Sequence, residues 1–501
     1  MCYNDGSSHR GGGGEEFSEE YLVLKPLEGS LWDLLHLLFS RNVENNNFVE
    51  CSEGTKVHGV KNRWILIVSV IAQRILLHLV KPMFWMGLII ETYLNLLLNY
   101  DNFCQFFHNL IQGKLVIPDN SSANYMSILG NLDTRLELDK NIKSGDSRYY
   151  GALSAMAAKL SYENEALIKA TVTDKWKMKF LHFYDFWNDY QEEASMQAFM
   201  FQDKMDDPEL IVVAFRGTEP FDADAWITDI DISWYDLSGI GKIHGGFMKA
   251  LGLQKGLGWP HEIYQSEDDH RLFAYYTLRE KLTDILSKNE KAKVIVTGHS
   301  LGGALAILFP TILAFHQADY LLKRFEGVYT FGQPRVGDKK IGEFVNDRFR
   351  IYGVKYLRYV YCNDLVPRIP YDDKSLLFKH FGTCLYFNSL YQGKVVVEEP
   401  NKNYFNPAKA LHKILNACFE LIRSFFIGYI AGPEYTEGWF LRLFRVVGLI
   451  IPGISAHCLQ EYVNVTRLAF SNIPLDQIED QPTFIKEKIE DLSDEQGYVF
   501  E

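Results

Sequence analysis

The sequence predicts an α/β fold: a mostly parallel sheet with helices on both faces, preceded by an apolar helical region. Three observations carry this. From about residue 145 onward, short runs rich in β-branched and aromatic residues alternate with helical runs, the pattern of strands joined by covering helices. One such run, 293–297, leads straight into Gly298-His299-Ser300-Leu301-Gly302-Gly303 and then into the apolar helical stretch ALAILFPTILAF. Upstream of residue 145 lies a greasy tract, 64–100, with no strand-like alternation.

The chain has 501 residues, 47% hydrophobic and 23% charged, which is enough apolar material for a full core and excludes wholesale disorder. Its formal charge of −13 argues against a nucleic-acid binder, which needs clustered Lys and Arg. The cysteine number, seven, is odd, and no CxxC or metal-type Cys/His spacing occurs. Reduced thiols in an intracellular protein are the natural reading, without a disulfide framework or a metal site. The first twenty residues lack the apolar core of a signal peptide.

In chain order, residues 1–20 are Gly-rich and polar and read as a tail. Residues 21–145 form an N-terminal region whose tract 64–100 is cut by Arg74, Lys81-Pro82 and Glu91. No uncharged run there reaches the roughly 20 residues of a spanning helix. Two short helices broken at Pro82 are expected, dipping into a membrane leaflet or a lipid-droplet monolayer, with Arg63, Arg74 and Lys81 near the polar boundary. A helical hairpin packed on the protein's own core is the alternative.

The region 146–475 reads as the main domain. Tyr149–Leu160 reads as an amphipathic helix. Strands are expected at 199–201, 210–215, 293–297, 327–331 and 356–361. A second greasy segment, 419–455, is broken by Gly432-Pro433, Arg442 and Arg445, and reads as surface-seeking and not spanning. Residues 476–501 are acidic and read as a peripheral helix or tail.

The informative stretch is VIVTGHSLGGALA, 294–306. Gly298-x-Ser300-x-Gly302 between an apolar strand and an apolar helix is the context of a nucleophile elbow, a tight turn that lifts a serine above the sheet edge. The flanking glycines, Gly298 and Gly302, let strand and helix approach closely. A serine hydroxyl needs a base to take its proton and a third group to orient that base, in the chain order Ser, acid, His. Asp364 follows a strand-like run and is the favoured acid; Asp338, Asp347, Asp372 and Asp373 are rivals in more polar stretches. For the base, His457 follows Pro452-Gly453 in a loop-like position, with His380 and His412 as rivals. Oxyanion donors are expected from the amide of Leu301 and from Thr218, at the end of the strand-like VVAFRGT. This chemistry requires no metal or cofactor.

The chain resembles the class 3 lipase family. The shared pieces are FRGT (215–218), AWITDI (225–230), HGGF (244–247), TGHSLGGALA (297–306), TFGQPRVGD (330–338), YCNDLVPRIP (361–370) and HCLQEYV (457–463), in family order. The resemblance implies a fold of α/β-hydrolase type, Ser300 as nucleophile, Asp364 as acid and His457 as base, with Thr218 and Leu301 at the oxyanion hole. The long apolar N-terminal part and the insert 419–455 look most like the plant oil-body triacylglycerol lipases. That implies acylglycerol substrates, an intracellular lipid-droplet or membrane surface as partner, and a lid at about 219–231, with a share in that role open to the insert. Phospholipase A1, galactolipase or partial-glyceride lipase activity is the alternative. A non-catalytic lipid-droplet scaffold is a second.

Overall fold

A computed structural model describes residues 20–39, 46–52, 60–98, 108–109, 111–114, 116, 118–188, 191, 193–237, 239–253, 271–370, 378–402, 404 and 409–468. The expected tail 1–20, except Glu20, and the acidic segment 476–501 lie outside the described residues, as do Asp372 and Asp373.

Twelve strands occur among the described residues, the five expected from the sequence among them, and the first two come earlier than the sequence pattern indicates. Strands β1 (Tyr21–Leu24) and β2 (Val49–Cys51) join β6 (Trp234–Leu237) and β7 (Gly241–His244) in a four-stranded antiparallel sheet, order β2-β1-β6-β7. This sheet ties the N-terminal region to the main domain, and it went unread because its strands are only three or four residues long. The main sheet has eight strands: β3 (Lys179–Asn188), β4 (Glu193–Gln202), β5 (Leu210–Phe215), β8 (Lys293–His299), β9 (Phe325–Phe331), β10 (Lys355–Tyr361), β11 (Thr383–Phe387) and β12 (Gly393–Val396). Their spatial order is β12-β11-β10-β9-β8-β5-β4-β3. The five central strands, β5 to β11, run parallel, and both edges are antiparallel.

Parallel strands are buried on both faces, so they read as continuous apolar runs. Every residue of β5 is buried, and so is β8 from Val294 to His299. One face is covered by the helices Ala274–Lys288 and Leu301–Phe315, whose Leu278, Leu282, Leu305 and Phe309 join Val213 and Val296 in one core cluster. The other face is covered by Tyr149–Leu160 and Leu459–Leu468. The helix Tyr149–Leu160 is therefore not amphipathic as expected. It lies between the sheet and the C-terminal helix, and residues 151–160 are all buried.

The greasy tract departs further from expectation. It is one helix, Val60–Leu98, that runs through Pro82 without a break. Proline removes one backbone bond and bends a helix, and the long apolar runs on either side sustain it across that gap. Nor do the arginines sit at a polar boundary. Arg63 is buried, and Arg74 donates to the backbone oxygens of Pro26 and of Gly29 (2.7 Å), a turn just beyond β1. Of the three cations only Lys81 is exposed. The second greasy segment does break at Gly432-Pro433, into helices Ala410–Ala431 and Trp439–Ile450.

Candidate active site

Strand β8 ends at His299, and the helix begins at Leu301, with one residue between them. Ser300 is that residue. Its φ is +58°, a left-handed conformation uncommon for a residue with a side chain, so the turn is held by its surroundings. The Ser300 amide donates to the Phe331 oxygen of β9 (2.9 Å). A Cβ at Gly298 would collide with the backbone of Gly302, and one at Gly302 with the Phe215 oxygen. Both elbow glycines are thus required by contact between strand, turn and helix.

Asp364 lies three residues past β10, fully buried. His457 ends a short 3-10 turn, Ser455–His457, ahead of the helix Leu459–Leu468. The structure brings these far-apart residues together. The Nδ1 of His457 lies 2.8 Å from Asp364 Oδ2, and its Nε2 lies 2.8 Å from Ser300 Oγ. A carboxylate accepts, so Nδ1 carries the proton and Nε2 is free to accept from the serine hydroxyl. The Val366 amide donates to Asp364 Oδ1 (2.9 Å), and Tyr462 donates its hydroxyl to Oδ2. Arg368 donates to the backbone oxygens of Asp364 and Cys362.

The rivals sit elsewhere. Asp338 caps the helix Lys339–Tyr352, accepting from the Ile341 amide (3.0 Å). Asp347 is at the surface beside Arg350. His380 is buried against the Pro367 oxygen (2.6 Å), and His412 is exposed on the helix Ala410–Ala431.

Thr218 stands beyond the end of β5, beside the elbow. A Cβ at Gly217 would lie 3.2 Å from Ser300 Cβ and would collide with the Tyr162 hydroxyl and the His299 oxygen. The Thr218 hydroxyl donates to Asp229 Oδ2 (2.7 Å), which anchors the residue and leaves its amide for other work. Leu301 opens its helix, so its amide has no carbonyl one turn back within that helix, and the helix N-terminus favours negative charge there. Among the described residues no cluster of His, Cys, Asp or Glu has metal-binding geometry.

Sequence reasoning missed three supporting residues. His299 is buried, accepts from Tyr162 at Nδ1 (2.9 Å) and donates from Nε2 to the His457 backbone oxygen (2.9 Å). Burial holds its pKa well below the ordinary value, so it stays neutral and holds the His457 backbone. Gly332, with φ +59°, faces Asp364 and His457: a Cβ would sit 2.9 Å from Asp364 Oδ2 and 2.9 Å from His457 Nδ1. Gly332→Ala is expected to displace that pair and lower kcat on a soluble ester about 100-fold, with the Tm changed far less.

Asp229 is the third. Burial pushes its carboxyl up to about 7 against the Thr218 hydrogen bond, which pulls down. The sign follows. Between the unfolded value of 3.8 and about 7, the folded chain holds a proton here that the unfolded chain releases, so stability falls as pH rises through that window. Asp229→Asn is expected to flatten the decline of Tm between about pH 4 and pH 7, read by thermal melts across pH.

A strand–turn–helix serine beside a histidine and a buried aspartate, at the carboxyl edge of a parallel sheet, is the layout of an α/β-type ester hydrolase. Residues 212–374 match the profile of lipase (class 3). The chain is 40% identical to triacylglycerol lipase OBL1 of Arabidopsis thaliana over 496 residues, covering 90% of this chain and 95% of the relative. It is 38% identical to triacylglycerol lipase OBL1 of Nicotiana tabacum, covering 90% and 95%, and 36% identical to that of Ricinus communis, covering 91% and 96%. The chain belongs to the class 3 lipase family, and it is an ester hydrolase.

Proposed function

We propose that the protein is a triacylglycerol lipase that cleaves the carboxylic esters of acylglycerols at a lipid-droplet surface through an acyl-enzyme. The observation that carries the chemistry is His457 bridging Ser300 and Asp364 at 2.8 Å on each side. Ser300 Oγ attacks the ester carbonyl while His457 Nε2 takes its proton, and Asp364 stabilises the imidazolium. The amides of Thr218 and Leu301 receive the oxyanion. The imidazolium then protonates the departing glyceride oxygen. Water, activated by the same base, releases the fatty acid and restores Ser300. The triacylglycerol reading is supported by the three full-length relatives named for that activity.

The test is a panel of emulsified triolein, diolein and phosphatidylcholine, with purified wild type beside Ser300→Ala. Triolein hydrolysed by wild type alone is the expected result. Phosphatidylcholine turned over faster than triolein would overturn the substrate class.

The droplet surface is supported by the outer face of the helix Val60–Leu98, where Trp85 and Ile89 are exposed. Its inner face carries Leu66, Ile67 and Val70 into the core, and Ser69 donates to the Ile230 oxygen at the end of the candidate lid helix, Ala223–Ile230. Deleting 64–100 would therefore remove core as well as anchor. Trp85→Glu with Ile89→Glu leaves the core intact, and is expected to weaken partition onto artificial droplets at least tenfold, measured by flotation.

A further inference from the structure

The hairpin of helices Ala410–Ala431 and Trp439–Ile450 is inside out. Its protein-facing side carries Lys413, Glu420, Arg423 and Arg445, all buried. Its outer side carries Ile422, Phe425, Phe426, Ile430, Trp439 and Ile450, all exposed. The remaining charged residue of the two helices, Arg442, is half-buried, with its guanidinium over the Phe425 ring (4.6 Å). A water-facing helix has the opposite arrangement. The inner charges are consumed by the protein itself. Arg445 donates to both oxygens of Glu437 (2.6 and 2.6 Å) and to Glu461; Arg423 donates to Glu461 (3.1 and 3.2 Å) and to the Tyr361 hydroxyl (2.7 Å).

We infer that the outer face of this hairpin is a second docking surface, for the hydrocarbon side of a lipid monolayer, lying in the plane of that monolayer and spanning nothing; this rests on the lipase reading above. Three features select lipid over other occupants. The first is charge: protein interfaces carry a polar rim with hydrogen bonds, whereas this face offers no charged group to pair and hydrocarbon asks for none. The second is topology. The 22 residues of Ala410–Ala431 could cross a bilayer by length, but crossing would pull Glu420 and Arg423 from their partners into hydrocarbon. The third is continuity with the candidate site. Past Ile450 the chain reaches His457 through Gly453, where a Cβ would collide with the Asn363 oxygen, next to Asp364. Leu441 and Phe444 pack with Cys458, the residue after His457. A lipid phase held on this face therefore lies beside the segment that carries His457.

The insert is thereby a fixed rim, latched to the helix Leu459–Leu468 through Glu461, and not a second lid. The helices Trp439–Ile450 and Val60–Leu98 both contact the short helix Ile128–Leu132.

The test uses full-length protein carrying Ile422→Glu, Phe426→Glu and Ile430→Glu, all outward positions away from the ion pairs. Partition onto triolein droplets coated with phosphatidylcholine is measured by flotation, alongside hydrolysis of soluble p-nitrophenyl butyrate, Tm and sedimentation velocity. A droplet has one water phase, so a spanning pair finds no place in it. The expected result is roughly 100-fold weaker partition with soluble-ester hydrolysis and Tm unchanged. Partition equal to wild type overturns the docking surface. A wild-type dimer that the substitutions convert to monomer, with droplet binding intact, assigns the face to a second copy and also overturns it. Wild type that fails to cleave the soluble ester defeats the lipase reading instead, which is a separate outcome.

Discussion

Ser300→Ala is expected to lower ester hydrolysis by about 10⁴-fold or more and to abolish labelling by a fluorophosphonate. The size follows from the arrangement. With the hydroxyl gone, His457 Nε2 has no proton to take from Oγ, and the acyl-enzyme route is closed. What remains is the oxyanion donors and binding, which in serine hydrolases generally leave about 10³–10⁴-fold over water. The same residual rate is expected for His457→Ala, and the double variant should be no worse than either single, because the two groups act as one unit. Fold is not at stake: Ser300 is held by its backbone bond to Phe331, which alanine keeps, although alanine inherits the φ of +58°. The measurement is single-turnover and steady-state hydrolysis of p-nitrophenyl butyrate and of triolein emulsion, with Tm as the folding control. A variant retaining a tenth of wild-type activity on both would refute Ser300 as the nucleophile.

The parts of this site that were legible in the sequence are those set by local contact. Gly298, Ser300 and Gly302 must follow one another because strand, turn and helix touch there, so the requirement is written within five residues. Four of the five parallel strands were legible for a similar reason, since burial on both faces leaves mostly β-branched and aromatic residues, whereas the short β11 was not expected. Asp364 and His457 were harder. Only its place after a strand-like run marks Asp364, 64 residues beyond the serine, while its rival Asp338 caps a helix through the Ile341 amide. His457 was marked by its loop-like place after Pro452-Gly453 and by the family's motif, and its ring lies 2.8 Å from both Ser300 and Asp364.

Two misreadings share one physical cause. Arg74, Arg442 and Arg445 read as interruptions of greasy helices, and Arg63 and Arg74 as lying near a polar boundary. Arg63 and Arg445 are buried, Arg74 donates to backbone oxygens of the turn beyond β1, Arg445 donates to carboxylates, and Arg442 lies half-buried against its own hairpin. Helical periodicity says which residues share a face, but not which face meets protein. Here the hairpin's polar face meets protein and its apolar face is left outside. Pro82 misled for a simpler reason: a missing hydrogen bond was weighed against a short helix, and the helix is 39 residues long.

That inward cluster carries the second large effect: Glu461→Gln is expected to cost about 3–5 kcal/mol of stability. Burial alone would push the Glu461 carboxyl up, but the guanidiniums of Arg423 and Arg445 outweigh it and draw it down to about 2. Two buried cations therefore depend on this one anion, along with Glu437, while burial pushes Glu420 up toward its neutral form. The neutral amide leaves Arg423 and Arg445 inside the protein with one carboxylate fewer, and uncompensated buried charge is what makes such losses large. Because the folded pKa is depressed, the stabilisation from Glu461 is full above the ordinary value of 4.5 and is lost as pH falls toward about 2. Wild type should thus lose stability steeply on acidification, and Glu461→Gln less so. The comparison that separates charge from packing is the pair Arg445→Met with Glu437→Leu. Removing both partners should cost less than removing Glu437 alone, since no bare guanidinium is left behind. Urea unfolding at pH 7 and pH 4 measures all of these. A Glu461→Gln cost below about 1 kcal/mol would mean that the hairpin is held to the base-bearing segment by apolar contact, with the ions incidental.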